Sequence, residues 1–480
     1  MKKDRFHDYD DELRNLVIEF ESTVLQGKDQ FFDVDELEMI IDYYFEVNDT
    51  KPLVRAVEYA EYLYPNNTPI RLRRAHLMIS NRQFAPALKR LLLLREKEPD
   101  NTDIAYSLGV AYSAMDKPEK SIECFQEAAH DGWMLGKVYT NMAEEYYKMK
   151  DYAKALRYYR KALQTDSFDD STVYNFCETC YEQGFVSEAI SEMQRLVEAD
   201  PYNKEAWFCL GNGYRDMTLY ERAVDAYEYA IAIDKFFIDA YIMLSQTYDL
   251  QGNLGEAVTT MVRALEYSDQ RDHIYRTIGA LYARDGNFAT AMAYFKKALD
   301  ENPLNADVLA SLAMCHLHLG DQSQALTYVQ KAMNIEAASH ADPAGGSADV
   351  YCSAAMVYDA VGNYQMACDC FDGMIATGTA TEQQYQLYVQ FLYKHHNYDM
   401  IDLFGSDSLL DLPHDPFYST YLAAAYFYTN RYNRVRKLLP DVSAALLADI
   451  CPEIMTHPLL GPLVPSVGDS DNDNNNKTTI

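Results

Sequence analysis

Apolar residues between Asp272 and Asn305 fall into two helical runs separated by a break. Tyr275, Ile278, Gly279 and Tyr282 recur every three or four residues, the spacing of one helix face. Gly286 and Asn287 interrupt that run, and a second opens at Phe288 and carries Ala291, Phe295 and Ala298 before Pro303 stops it. The pattern predicts two amphipathic helices joined by a tight turn. One such hairpin cannot bury its apolar face alone, so it must stack on copies of itself.

The copies are present. Stepping by thirty-four residues keeps the register without a gap from Val34 to Ser339. Position 8 reads Ile41, Ala75, Gly109, Ala143, Cys177, Gly211, Ser245, Gly279 and Ala313. Position 20 reads Leu53, Ala87, Ser121, Ala155, Ala189, Ala223, Ala257, Ala291 and Ala325. Small residues at both positions let two helices approach closely. This arrangement resembles the tetratricopeptide repeat family, whose motif has a large residue at 4, Leu at 7, Gly or Ala at 8 and Tyr at 11. The motif continues with Ala at 20, an aromatic at 24, Ala at 27 and Pro at 32. The resemblance covers residues 34–449 and implies an all-α fold: an α-solenoid of about twelve helix-turn-helix hairpins forming a right-handed superhelix.

Residues 1–33 precede the register. Leu13, Leu16, Val17, Phe20 and Val24 share one helical face, with Asp10 or Asp11 available as N-cap, which predicts an N-terminal capping helix. Nine contiguous repeats then fill 34–339; the third has Trp133 where proline is usual, and the sixth carries Trp207 at position 4. Residues 340–347, HADPAGGS, are an insertion loop, read either as a longer connection or as a hinge. Three further repeats occupy 348–449, the weaker two marked by Tyr398, Pro413 and Tyr426. Residues 450–465, rich in Leu, Ile and Pro, read as a C-terminal cap or as a segment that docks into a solenoid groove, and 466–480 as a disordered tail.

Composition narrows the function. A net charge of −31 argues against general nucleic-acid binding, which needs a basic surface; it serves solubility or sets up a field that favours basic partners. Nine scattered cysteines fit a reducing compartment. The first residues carry charges without an apolar core, and no apolar run reaches membrane-spanning length, so a soluble cytoplasmic protein is expected.

No motif of catalysis or cofactor binding stands out. There is no phosphate loop, dinucleotide fingerprint, nucleophile elbow or HExxH. Cys177 and Cys180 form a CxxC, but at packing positions and without a second pair. His316 with His318, and His395 with His396, lack the spacing of a helical metal pair. Asp469, Asp471 and Asp473 begin a calcium-like loop that fails at Asn474 and Ile480. The reading is of a protein that is not an enzyme and holds no metal and no cofactor, and its forty tyrosines are mostly core.

By resemblance to the family, positions 2, 5, 6, 9, 12 and 13 line a concave groove. In the fourth repeat these include Asn141, Glu144 and Tyr147; in the fifth, Tyr174, Asn175, Glu178 and Tyr181; in the sixth, Phe208, Cys209, Asn212 and Arg215. Asn141, Asn175 and Asn212 could hold an extended peptide backbone, since a primary amide both donates and accepts. Tyr147, Tyr174, Tyr181 and Phe208 would add aromatic contact, while Glu144, Glu178 and Glu182 favour a basic ligand. The other reading of these positions is an ordinary solvated face. The carboxylate clamp of chaperone-binding members is absent: Asn175 is followed by Glu205 and Cys209 where Lys and Arg belong. The expected function is a non-catalytic scaffold or adaptor that binds a protein or peptide segment. The alternatives are a structural module that self-associates as a homo-oligomer through its ends and the apolar C-terminal segment, and a regulatory subunit of an enzyme.

Overall fold

The structure, a computed structural model, describes residues 11–28, 30–131, 134–165, 168–339, 346–404 and 415–465. Asp10, Trp133, Pro413, most of the insertion and the tail 466–480 lie outside the described residues. Among those described, every regular element is a helix. The chain divides into two units, Met1–Asn253 and Leu254–Ile480.

In the first unit the helix Asp11–Ser22 precedes six hairpins. Their paired helices are Val34–Glu46 with Thr50–Leu63, Thr68–Ser80 with Phe84–Arg95, Thr102–Ala114 with Pro118–Ala128, Leu135–Lys148 with Tyr152–Ala162, Asp170–Glu182 with Val186–Ala199, and Lys204–Asp216 with Tyr220–Ile233. The helix Ile238–Leu250 ends the unit. The second unit begins with Leu254–Ala264 and continues through hairpins that start at Arg271, Ala306, Ala348, Glu382 and Pro416. Two short helices, Ala444–Ile450 and Pro452–Thr456, follow.

Local chemistry fixes where these helices start and turn. Asn67, Asn101, Asn203 and Asn305, at position 34 of their repeats, accept backbone N–H bonds of 2.7–3.2 Å from the helices that follow. Between the paired helices, position 15 is left-handed every time. Asn48, Arg82, Asp116, Lys150, Gly184, Thr218, Gly286, Gly320, Gly362, His396 and Asn430 have φ between +51° and +81°. The thirty-four-residue period is therefore a backbone period as well as a pattern of side chains.

Packing explains the small residues. A Cβ on Gly109 would stand 2.5 Å from the ring of Phe125, and one on Gly211 would stand 2.5 Å from that of Tyr227. Position 8 thus lies beneath the aromatic at position 24. Ala87, Ala155, Ala189, Ala223, Ala291 and Ala325 at position 20 are all fully buried. Each hairpin contributes one layer to a core shared with its neighbours.

At the start of the chain Val17, Phe20, Val24 and Phe32 share a core with Leu37, Ile40 and Tyr44. At the other end Leu447, Cys451, Ile454 and Leu460 pack with Ala423, Tyr426 and Val435, and the Tyr393 hydroxyl donates to the Ile450 carbonyl at 2.8 Å. At the end of the insertion, the Ser347 N–H donates to Glu336 at 3.1 Å and its hydroxyl to Asp307 at 2.7 Å. Eight of the nine cysteines, Cys177 and Cys180 included, are buried, and Cys368 is half-buried. His318 stacks on Phe288 and His316 on Tyr328. Among the described residues no helix is long and apolar enough to cross a membrane, and no cluster of His, Cys, Asp and Glu could hold a metal ion.

Candidate functional site

The first helices of successive hairpins present positions 2, 5, 6, 9, 12 and 13 on one face. In the first unit that face opens into a hollow of about 670 Å³ across the first three hairpins and the start of the fourth. Its polar lining is Glu38 and Asp42 from the first hairpin, Arg73 and His76 from the second, Asp103 and Ser107 from the third. Glu46 and Lys137 also line it, so four carboxylates face two permanent cations.

Arg73 is the centre of the charge. Its Nε lies 3.1 Å from Asp42 Oδ1, and its Nη2 lies 2.7 Å from Asp42 Oδ2 and 3.1 Å from Glu38 Oε2. The planar fork of a guanidinium suits such paired contact, and an ammonium could not reproduce it. Burial pushes the Glu38 carboxyl above its usual range; Arg73 opposes that shift, while Asp42, Asp35 and Asp103 add to it. Lys137 stands 3.7 Å from Asp169.

His76 tightens the floor. Ser107 Oγ lies 2.8 Å from the Asp103 carbonyl and 2.8 Å from His76 Nε2, so the serine hydroxyl joins the second and third hairpins. Burial holds the His76 pKa below its ordinary value, with Arg73 acting in the same direction and Asp42 against it. Phe45, Leu72, Ile79, Val110 and Met134 supply apolar wall. These groups can bind and orient a ligand.

The residues singled out in the sequence lie on the same face, farther along, and many are engaged within the protein. Asn141 Nδ2 donates to Tyr106 Oη at 3.0 Å, and Asn175 Nδ2 to Glu144 Oε1 at 3.2 Å. Asn212 Oδ1 accepts from Tyr227 at 2.7 Å. Burial raises the Glu144 carboxyl above its usual range. Tyr147 donates to Glu182 at 2.7 Å, which is the first cause of its phenol rising to about 12. Tyr174 meets Phe208 edge to face at 6.1 Å, and Phe208 lies 5.0 Å from Phe237. Glu178 is exposed. Arg215 Nη1 reaches Met243 Sδ at 2.9 Å, with Nη2 3.6 Å from Asp216.

Two of the groove positions turn inward. Cys209, assigned to the groove by its position, is 3% exposed. Tyr181, expected as a ligand anchor, turns its hydroxyl inward to donate to the Cys209 carbonyl at 2.8 Å. Between the first helices of the fifth and sixth hairpins the rings of Tyr174 and Phe208 are in contact. The hollow is lined by Ser80, Ser107 and Val110, together with Tyr106 at the repeat position that Tyr174 and Phe208 hold in theirs. Sequence reasoning passed over Glu38, Asp42, Arg73 and His76, although they occupy groove positions 5, 9, 6 and 9.

In the second unit the same face has a smaller hollow of about 190 Å³, lined by Met356, Asp359, Phe371, Leu387, Phe391 and Lys394 among others. Asp359 accepts from Lys394 at 2.7 Å and from His395 at 2.6 Å. Burial pushes its carboxyl upward, and these two bonds outweigh burial to hold it below the usual range.

The matches to family models agree with this architecture. Three family models described as tetratricopeptide repeat match residues 282–345, 136–169, and 102–129 together with 238–271. The TPR repeat-containing protein YpiA of Bacillus subtilis (strain 168) is 22% identical over 251 residues, which span 45% of this chain and 59% of that protein. Among solved structures, a tetratricopeptide repeat protein from Parabacteroides merdae is 14% identical, with a TM-score of 0.41 over 53% of this chain and 97% of that one. YrrB, described as a TPR protein with an unusual peptide-binding site, is 21% identical, with a TM-score of 0.29 over 37% of this chain and 92% of its own. Arrays of this family are in general non-catalytic scaffolds for protein interaction. The family matches and the thirty-four-residue period of caps, turns and close contacts make this chain a tetratricopeptide repeat protein.

Proposed function

We propose that the protein is a non-catalytic adaptor that holds an extended segment of a partner protein against the first-helix face of its first unit. The observation that carries this reading is the hollow of about 670 Å³, which combines apolar walls with charged groups from three successive hairpins. Its size falls within the roughly 300–1,000 Å³ of ordinary ligand pockets. From there the segment would continue toward Asn141, Asn175 and Asn212, each of whose amides has four hydrogen-bonding sites. Tyr174 and Phe208 would provide aromatic contact, with Glu144 and Glu178 adding negative charge.

Site-specific photocrosslinking in the source cells tests the reading. A photoreactive residue at Ser80, exposed on the hollow's edge, should trap a partner protein that one at Lys89, exposed on the second helix of the same hairpin, does not. Equal trapping from both positions, or none from Ser80, would remove the hollow as the binding surface.

A further inference from the structure

The hollow already contains a cation held as a ligand would be. Arg73 comes from the second hairpin and reaches across to the first, where both oxygens of Asp42 and one of Glu38 receive its guanidinium. Its side chain remains 19% exposed, so it sits at the boundary between wall and solvent. We infer that Arg73 is an internal stand-in for a cationic side chain of the partner, and that the hollow selects a segment in which Arg or Lys adjoins an apolar residue. This inference rests on the reading of the first-helix face as a segment-binding surface.

Charge complementarity supports it. Four carboxylates share the hollow with two cations, so an entering anion meets excess negative charge and an entering cation is welcomed. A guanidinium from the partner could form the same paired contact with Asp42 and Glu38 while Arg73 turns outward. Phe45, Leu72, Ile79 and Val110 lie alongside and can cover an apolar neighbour of that residue. The opposite assignment makes Arg73 an arm that grasps a partner carboxylate. The two assignments differ in sign: removing Arg73 helps a cationic ligand by removing its competitor and harms an anionic one.

The test uses the full chain and three sets of fluorescent twelve-residue peptides built on Gly and Ser, with Arg-Leu, Gln-Leu or Glu-Leu at the centre. Fluorescence polarisation should show tighter binding of the Arg-Leu set, weakening as salt is raised. Arg73→Gln should tighten that set by about three- to tenfold, the scale of one exposed or half-exposed charge pair. Glu38→Gln combined with Asp42→Asn should abolish the preference, and this isosteric pair guards against mistaking local unfolding for lost recognition. Arg-Leu binding that Arg73→Gln weakens or leaves unchanged would overturn the inference, as would preferred binding of Glu-Leu peptides. Absence of binding to all three sets would also overturn it, while the crosslinking experiment would still decide the broader reading.

Discussion

Gly279 lies beneath the ring of Phe295, so closely that a Cβ on the glycine would stand 2.6 Å from Cε1 of the phenylalanine. The ring is 1% exposed and enclosed, so it cannot retreat without disturbing the layer around it. Gly279→Val should therefore destabilise the second unit by about 1–3 kcal/mol through overpacking. Adding Phe295→Leu should recover part of the loss, because residues in contact are energetically coupled. Urea unfolding of the two single variants and the double variant checks this. Strict additivity would mean that the close contact does not govern stability.

The repeated left-handed turn gives a prediction of opposite sign. Glycine adopts φ of +81° at Gly286 without steric cost, whereas Thr218 holds the corresponding position at +57° with a β-branched side chain. Thr218→Gly should stabilise the first unit by about 1 kcal/mol, since relief of a strained left-handed residue exceeds the entropy that glycine adds to the unfolded chain. The reciprocal change Gly286→Thr should destabilise the second unit by a similar amount. Thermal melts of both variants measure the pair.

His76 makes stability depend on pH. In the folded protein its pKa lies below 6.5, the ordinary value that the unfolded chain retains. As pH falls through 6.5, the unfolded chain takes up a proton that the folded chain does not. The His76 contribution is therefore fully present above that pH and is lost as pH falls through the depressed folded value. His76→Gln, able to donate to Ser107, should flatten the decline in urea midpoint between pH 7.5 and 5.5. An unchanged slope in the variant would assign the decline to other groups.

Much of the fold could be read from spacing because tetratricopeptide packing is local. Gly109, Gly211 and Gly279 must be small wherever an aromatic lies above them, and a thirty-four-residue step finds all three. The left-handed turn was less visible: Arg82, Lys150 and Thr218 are not turn residues by type, and the register forces them into that conformation. The candidate site was legible by position but not by place. Groove positions follow from helix geometry, whereas the hollow depends on which side chains fill the space between first helices. Tyr174 and Phe208 meet between the fifth and sixth hairpins, whereas Tyr106, at the same repeat position in the third, lines the hollow. No sequence period records that difference.

The cysteines give a prediction that bears on the core itself. Burial pushes the thiols of Cys124, Cys315 and Cys352 up to about 11, and those of Cys180 and Cys370 to about 12. Cys177 is also raised, through its hydrogen bond to Cys209 and through burial. Thiolate is the reactive species, so at pH 8 these groups are both shielded and protonated. Cys368 is also raised by burial, against which its hydrogen bond with Tyr364 acts, but it is the one cysteine that is not buried. Iodoacetamide applied to the native protein at pH 8 should therefore modify Cys368 first. Labelling at Cys177 and Cys180 should wait for denaturant and then proceed at the rate of free thiols. Peptide mapping by mass spectrometry reads the order. Early modification of Cys180 would mean that the fifth hairpin opens under native conditions, and would shift the CxxC from packing to a reactive role.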